Sequence, residues 1–346
     1  MRSSGSGEAV LERADATARA NMPAQPAPPQ RPLTDKQREK QRKASLHRLH
    51  GSSDRQLFSM CIPAMIKLFI FAYIPMLGVV MAFQDYRPRK GIFGSEFVGF
   101  ENFEFFFKST DAARTTFNTI VMNFVFIFSG LVVSLVLALI MNEMRNRVFL
   151  KSMQTLMFLP YFISWTLAGI ILTTFLDMDG VITQVVYSLT GEEINFYAEP
   201  KYWRLILPLM QIWKGAGVNA IIYYANAISI DKEYYEAATM DGASRLQCAW
   251  HITLPQLKTL IIVLTVMGLG NIFRGDFGLF YFGTRNSSLL YPTTDVIDTF
   301  VYRALSQNAN YSMAAAVGLF QSLVGCVLIT ATNLVVRKIN RRAALF

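Results

Sequence analysis

Charge is what this sequence has least of. Only 16% of its 346 residues are Asp, Glu, Lys or Arg, against about 25% in an ordinary water-soluble domain. With 52% hydrophobic residues and a mean hydropathy of +0.30, the composition is that of a polytopic membrane protein. Cysteine is nearly missing as well. Cys61, Cys248 and Cys326 are scattered, offer neither a metal-ligand spacing nor a disulfide framework, and read as packing residues. Histidine is limited to His47, His50 and His251. No G-x-x-x-x-G-K-[ST], H-E-x-x-H or G-x-S-x-G run occurs. Without the first, the chain has no glycine-rich loop to cradle nucleotide phosphates. Without the others it lacks the signatures of a zinc protease or a nucleophile-elbow hydrolase. No paired acid and base stand in a plausible cleft, so enzyme chemistry, a bound cofactor and a metal site are not expected.

The formal net charge of +9 would suit nucleic acid, but its distribution argues for membrane. Residues 1–30 are rich in Ala, Pro, Ser and Gln without apolar period and are expected to be disordered; no signal-peptide core is present there. Residues 36–55 then gather Lys36, Arg38, Lys40, Arg42, Lys43, Arg48 and Arg55 directly before a long hydrophobic stretch. That placement suits a cytoplasmic flank touching anionic lipid better than a nucleic-acid arm. The expected organisation is a basic N-terminal tail over 1–56 and a membrane domain over 57–340. Six stretches, at about 57–84, 116–141, 154–177, 204–226, 257–282 and 313–336, reach the ~20 apolar residues needed to cross ~30 Å of hydrocarbon. Lys and Arg number sixteen on the N-terminal flank counted over 37–56, the two even-numbered loops and the C-tail, against nine in the opposite loops. Both termini and the 227–258 loop are therefore expected in the cytoplasm.

That loop holds the most informative run, DKEYYEAATMDGASRLQCAWHITLP, from Asp231 to Pro255. Asp231 is placed to cap a helix, with Ile230 and Tyr235 as a hydrophobic staple. Glu236, Ala237 and Ala238 favour helix, and the alanines leave a smooth face. Gly242 is suited to a left-handed C-cap. Ser244 and Gln247 fit a capping box that opens a second short helix, which Leu254-Pro255 is expected to end. Glu236-Ala237-Ala238, then Asp241-Gly242-Ala243, then Ile252-x-Leu254-Pro255 resembles the EAA loop of permeases from binding-protein-dependent ABC importers. Thr259 departs from it, standing where many members carry a second proline. The resemblance implies an all-α polytopic fold of the type I importer, with this loop forming coupling helices that dock on an ATPase. It also implies a second related permease, two ATPase subunits that hold ATP and Mg, and an extracytoplasmic solute-binding protein. Location in a bacterial cytoplasmic membrane follows.

Polar residues inside the spans mark a candidate substrate path. The fourth contains Trp213-Lys214-Gly215-Ala216-Gly217, and a lysine at that depth costs at least ~2.5 kcal/mol unless it faces protein or water. Asn219, Tyr223 and Asn226 follow on one helical face. The fifth ends in Gly268, Gly270, Asn271, Arg274, Gly275 and Asp276, too polar for lipid. Sugar binding fits this mix of amides, aromatics and a few charges; interhelical hydrogen bonding fits each residue singly. The 85–114 loop, with Phe93, Phe97, Phe100, Phe103, Phe105, Phe106 and Phe107, suits an interfacial helix, a docking surface for an external protein, or both. The 178–202 loop reads as a small external scoop. The stretch from Tyr291 to Arg303, with Tyr311-Ser312 and Gln321-Ser322, resembles permeases for polysaccharide fragments in the carbohydrate-uptake, maltose-type branch. Tyr73-Ile74-Pro75-Met76 resembles the same subgroup. Import of an oligosaccharide is the function the resemblance implies. A non-sugar solute is the alternative. A secondary transporter would need an intramembrane carboxylate, for which Asp276 is the candidate; a structural scaffold would leave the loop spacing without a reason.

Overall fold

The computed structural model describes residues 57–339. The basic stretch 36–55 and the cations Arg341 and Arg342 lie outside the described residues. The contacts divide the chain between Ala72 and Tyr73. The second unit, from Tyr73 onward, holds the 231–255 loop and is dominated by helices. Six helical stretches among the described residues, one of them interrupted, are long and apolar enough to cross a membrane: Leu57–Phe83 (α1), Thr110–Glu143, Trp165–Thr190, Pro200–Ala227, Arg245–Gly270 and Tyr311–Lys338.

On the side opposite the 231–255 loop, Gln84–Asp85 pairs antiparallel with Glu96–Phe97 as β1 and β2, followed by the short helix α2, Glu101–Lys108. The Asn102 amide donates to the carbonyls of Ala82 and Gln84, both at 3.0 Å, and holds the turn to the end of α1. The aromatic run is split by this arrangement. Phe106 enters the core at 1% exposure, while Phe93, Phe97 and Phe100 stay open.

Helix α3, Thr110–Glu143, starts at Ser109, whose hydroxyl accepts the Ala112 N–H. Its 34 residues span roughly 50 Å at 1.5 Å per residue. One stripe of it, Thr115, Asn118, Thr119, Met122 and Phe126, is buried. Its N-terminal end is a socket. The Asn118 amide donates to the carbonyls of Pro292 (3.3 Å) and Asp295 (3.1 Å), and Thr119 accepts the Ile297 N–H at 2.9 Å. Asp295, fully buried, takes both Nη2 contacts of Arg303 (2.7 and 2.8 Å) and one from Arg114 (3.1 Å).

The third hydrophobic stretch differs from the sequence expectation of 154–177. Asn146 caps a separate helix α4, Arg147–Phe158, with its side chain accepting from Val148 and Phe149. Pro160 sits in a 3-10 turn, Leu159–Phe162, and Ser164 caps a new helix α5, Trp165–Leu176. The chain breaks again at Asp177–Gly180 before α6, Val181–Thr190. Apolar composition runs smoothly across all of this, so hydropathy alone cannot see the break; the caps at Asn146 and Ser164 carry it.

Helix α7, Pro200–Ala227, opens with proline at its first position and packs on α3. Gly217 lets the α4 end approach so closely that a Cβ there would lie 2.1 Å from the Met157 carbonyl oxygen. The 231–255 loop then holds a short helix α8, Lys232–Met240. After it, α9 (Arg245–Gly270) leads into a polar break at 271–276 and a π turn, Leu279–Gly283. Helix α10, Ile297–Ser306, and the last helix α11, Tyr311–Ile339, complete the bundle.

Candidate functional site

The 231–255 loop is built largely as its residues dictate. Asp231 accepts the Glu233 N–H at 3.2 Å and starts α8. Gly242 takes φ +81°. The Ala243 N–H then reaches the Ala238 carbonyl (2.9 Å), and the Gly242 N–H the Thr239 carbonyl (3.0 Å). These are the two bonds of a Schellman C-cap. Ser244 and Gln247 close the capping box in both directions. One expectation fails. Leu254-Pro255 does not end the second helix, which continues into the fifth span through a π turn at Ala249–Thr253. The Leu254 N–H bonds the Ala249 carbonyl five residues back, so the register shifts just before the proline. Pro255 falls in the first turn of the next α-helical segment, where its missing N–H is no loss.

The loop's outer surface is unusually apolar for exposed helix. Met240 is 88% exposed and Leu246 70%, with Tyr234 and Trp250 also open. Glu236 and Ala237 are exposed and Ala238 and Ala243 half-buried. The loop is moored to the bundle by Tyr235, whose hydroxyl meets the Thr253 hydroxyl at 2.9 Å, and by Arg245, 3.7 Å from Glu143.

The second site is a cavity of about 470 Å³ between α3, α7 and the end of α9. From the sequence-derived path, Asn219, Tyr223, Asn271 and Asp276 line it. Asn123, Ser134, Gln211, Thr265 and Arg274 join them; of these, only Arg274 stands out in the sequence, because an amide or hydroxyl within a span is equally at home between helices. Asn123 reads the helix break itself, its amide donating to the carbonyls of Ile272 (2.9 Å) and Arg274 (3.1 Å). Asp298 accepts the Gly275 N–H at 2.6 Å and fixes the other side of the break. Burial pushes the Asp298 carboxyl above its ordinary range, opposed by the Gly275 and Gln321 hydrogen bonds and by the charge of Arg274.

Trp213, Lys214 and Asn226 lie off this cavity. Trp213 lines a groove against Met157 and Pro160, and Asn226 is exposed. Lys214 meets the cost of its depth with backbone. Its ammonium donates to the carbonyl of Ile163 and, at 3.4 Å, to that of Tyr161, and stands 4.9 Å over the Trp165 ring. It thus holds the free carbonyls where the third stretch breaks. Trp165 in turn donates its indole N–H to Asp276 at 2.8 Å, joining the two broken stretches at the cavity wall.

Comparison with known proteins agrees with this architecture. Residues 130–344 match the model of the binding-protein-dependent transport system inner membrane component. The chain is 38% identical to Protein LplB of Bacillus subtilis (strain 168) across 83% of its own length and 90% of that protein's. It is 36% identical to the polygalacturonan/rhamnogalacturonan transport system permease protein YteP of the same organism, across 82% of this chain and 88% of that one. A bacterial alginate ABC transporter, solved in complex with alginate pentasaccharide-bound periplasmic protein, contains a chain that superposes with a TM-score of 0.75 at 33% identity, covering 83% of this chain and 96% of that one. Sequence and fold agree over most of the chain, and it belongs to the binding-protein-dependent transport family as a multi-pass inner membrane permease component.

Proposed function

We propose that this chain is one permease of an ATP-driven ABC importer that carries oligosaccharide fragments of a polysaccharide across the cytoplasmic membrane. The observation that carries this reading is the cavity. Its size, about 470 Å³, falls within the range of ordinary ligand sites. Its wall mixes the amides of Asn123, Asn219 and Asn271 with Phe126 and Tyr223. Amides match sugar hydroxyls along the ring edge, and aromatic rings match the C–H groups of its face. The relatives named for polygalacturonan and alginate transport support a sugar over a non-sugar solute.

In this reading a second, homologous permease completes the path, and a binding protein delivers the sugar from outside. Two ATPases hold ATP and Mg and receive the exposed surface of the 231–255 loop. Glu236, Ala237, Ala238, Asp241, Gly242, Ala243, Leu254 and Pro255 form or position that contact. Closure of the ATPases moves α8 and the start of α9, and because α9 is continuous from Arg245 to Gly270, the push reaches the cavity at its far end. The spans then alternate between inward- and outward-facing states.

Alanine at Tyr223 or Asn271 is expected to slow uptake about three- to tenfold, the worth of one hydrogen bond or ring contact, with complex assembly and basal ATPase activity unchanged. Transport assays on the reconstituted complex check this. Unaltered uptake kinetics in both variants would remove the cavity from the path.

A further inference from the structure

We propose that Arg274 reads a negative charge on the transported sugar, making the cavity selective for oligosaccharides that carry carboxylates; this rests on the carbohydrate reading of the cavity. Of the residues lining the cavity, only Arg274 and Asp276 are charged. They are used very differently. Asp276 is already engaged, its Oδ2 accepting the Trp165 indole N–H at 2.8 Å and its Oδ1 facing the Leu279 N–H at 3.4 Å. Arg274 is committed only through its backbone. Its N–H donates to Asn271 (2.8 Å), its carbonyl accepts from Asn123 (3.1 Å), and the next N–H, of Gly275, is bound by Asp298.

The Arg274 guanidinium makes no hydrogen bond and no ion pair within 4.0 Å among the described residues. Asp298 feels its charge but spends Oδ2 on the Gly275 N–H and the Gln321 amide. The Arg274 side chain is exposed and stands in the break just past the helix that ends at Gly270, so its guanidinium is open to a ligand. The group's planar fork matches a carboxylate with two parallel hydrogen bonds. The amide-bearing side chains of Asn123, Asn219 and Asn271 line the same cavity, so its wall sets a cation beside groups that bind hydroxyls. A uronate residue carries both a carboxylate and hydroxyls. With Arg274 the one cation of the lining and Asp276 an anion beside it, a singly charged carboxylate fits better than a doubly charged phosphate ester.

The test uses the whole complex, with partner permease, ATPases and binding protein, in proteoliposomes containing ATP. Uptake is compared for oligogalacturonate, its methyl ester and a phosphorylated neutral oligosaccharide, in wild type, Arg274→Lys and Arg274→Gln. The expected result is a loss of at least tenfold for oligogalacturonate in Arg274→Gln, partial recovery in Arg274→Lys, and less than a twofold change for the methyl ester. Assembly and basal ATPase activity serve as the folding control. Equal losses for acid and ester, no loss for the acid, or a wild-type preference for the ester or the phosphorylated sugar would overturn the inference. Transport of a non-sugar solute with no carbohydrate uptake in wild type would instead overturn the carbohydrate reading itself.

Discussion

Replacing Gly242 with valine is expected to uncouple or detach the ATPase while leaving the spans folded. Gly242 stands at φ +81°, with no neighbouring atom within 4 Å of where a Cβ would lie. The harm therefore comes from backbone conformation and not from a clash inside this chain. A β-branched residue in that region costs on the order of 1–3 kcal/mol, more than the ~1 kcal/mol of helix propensity alone. The loop has an easier way out. It can give up the bonds from Ala243 to Ala238 and from Gly242 to Thr239, which swings α8 relative to the start of α9. The apolar surface formed by Tyr234, Met240, Leu246 and Trp250 then no longer presents one shape. Purified complexes should show lost ATPase subunits or abolished substrate-stimulated hydrolysis. Gly242→Asn, a residue that tolerates the left-handed region, should retain most of both. Normal retention with normal stimulation in the valine variant would sink the coupling role of this loop.

The largest effect on stability is expected at Asp295. Its side chain is wholly buried and lies between Arg303, 13% exposed, and Arg114. Arg303 already has one buried nitrogen, Nη1, without a partner, and Arg114 has Nε in the same condition. Arg303 thus depends on this single carboxylate for its ion pair, whereas Arg114 also pairs with Asp111 at 2.8 Å. Asp295→Asn keeps the volume and removes the charge, leaving the largely buried Arg303 cation against a neutral amide while Arg114 retains Asp111. Breaking a buried pair from one side costs about 3–5 kcal/mol, because the remaining charge stays buried. The damage is local in position but broad in consequence, since the same segment is clasped by Asn118 and Thr119 of α3. Thermal unfolding in detergent should show a markedly lower midpoint for the variant. A midpoint unchanged from wild type would show that the pair contributes little net stability.

Short-range chemistry is the part of this protein legible in its sequence. Asp231, Gly242 and the Ser244–Gln247 box each act within a few residues, and the structure places each as its type requires. The polarity of Asn271, Arg274 and Asp276 can also be read as unsuited to lipid, but the span drawn through them to 282 does not hold, because the helix stops at Gly270. What cannot be read depends on distant partners. Lys214 reads as a path residue, yet it bonds carbonyls some fifty positions earlier in the chain. Those carbonyls are free only because the third stretch breaks near Pro160, which its uninterrupted apolar composition conceals. Asn123 is silent in the sequence for a related reason: its amide binds the carbonyls of Ile272 and Arg274, far along the chain. Pro255 misleads because a proline after a leucine ordinarily ends a helix, whereas here a π turn shifts the register to accommodate it.

Transport at the expense of ATP, hydrolysed by partner subunits coupled through the 231–255 loop, is tested most directly by uptake of radiolabelled oligosaccharide. The proteoliposomes hold the complete complex and its binding protein, with ATP and Mg inside or absent, and with or without an imposed ion gradient. Uptake is expected only with internal ATP and Mg, indifferent to the gradient, and abolished when the lysine in the phosphate-binding loop of the ATPase is substituted. Uptake that follows the ion gradient and persists without ATP would contradict ATP-driven coupling, and would make Asp276 the coupling carboxylate of a secondary transporter.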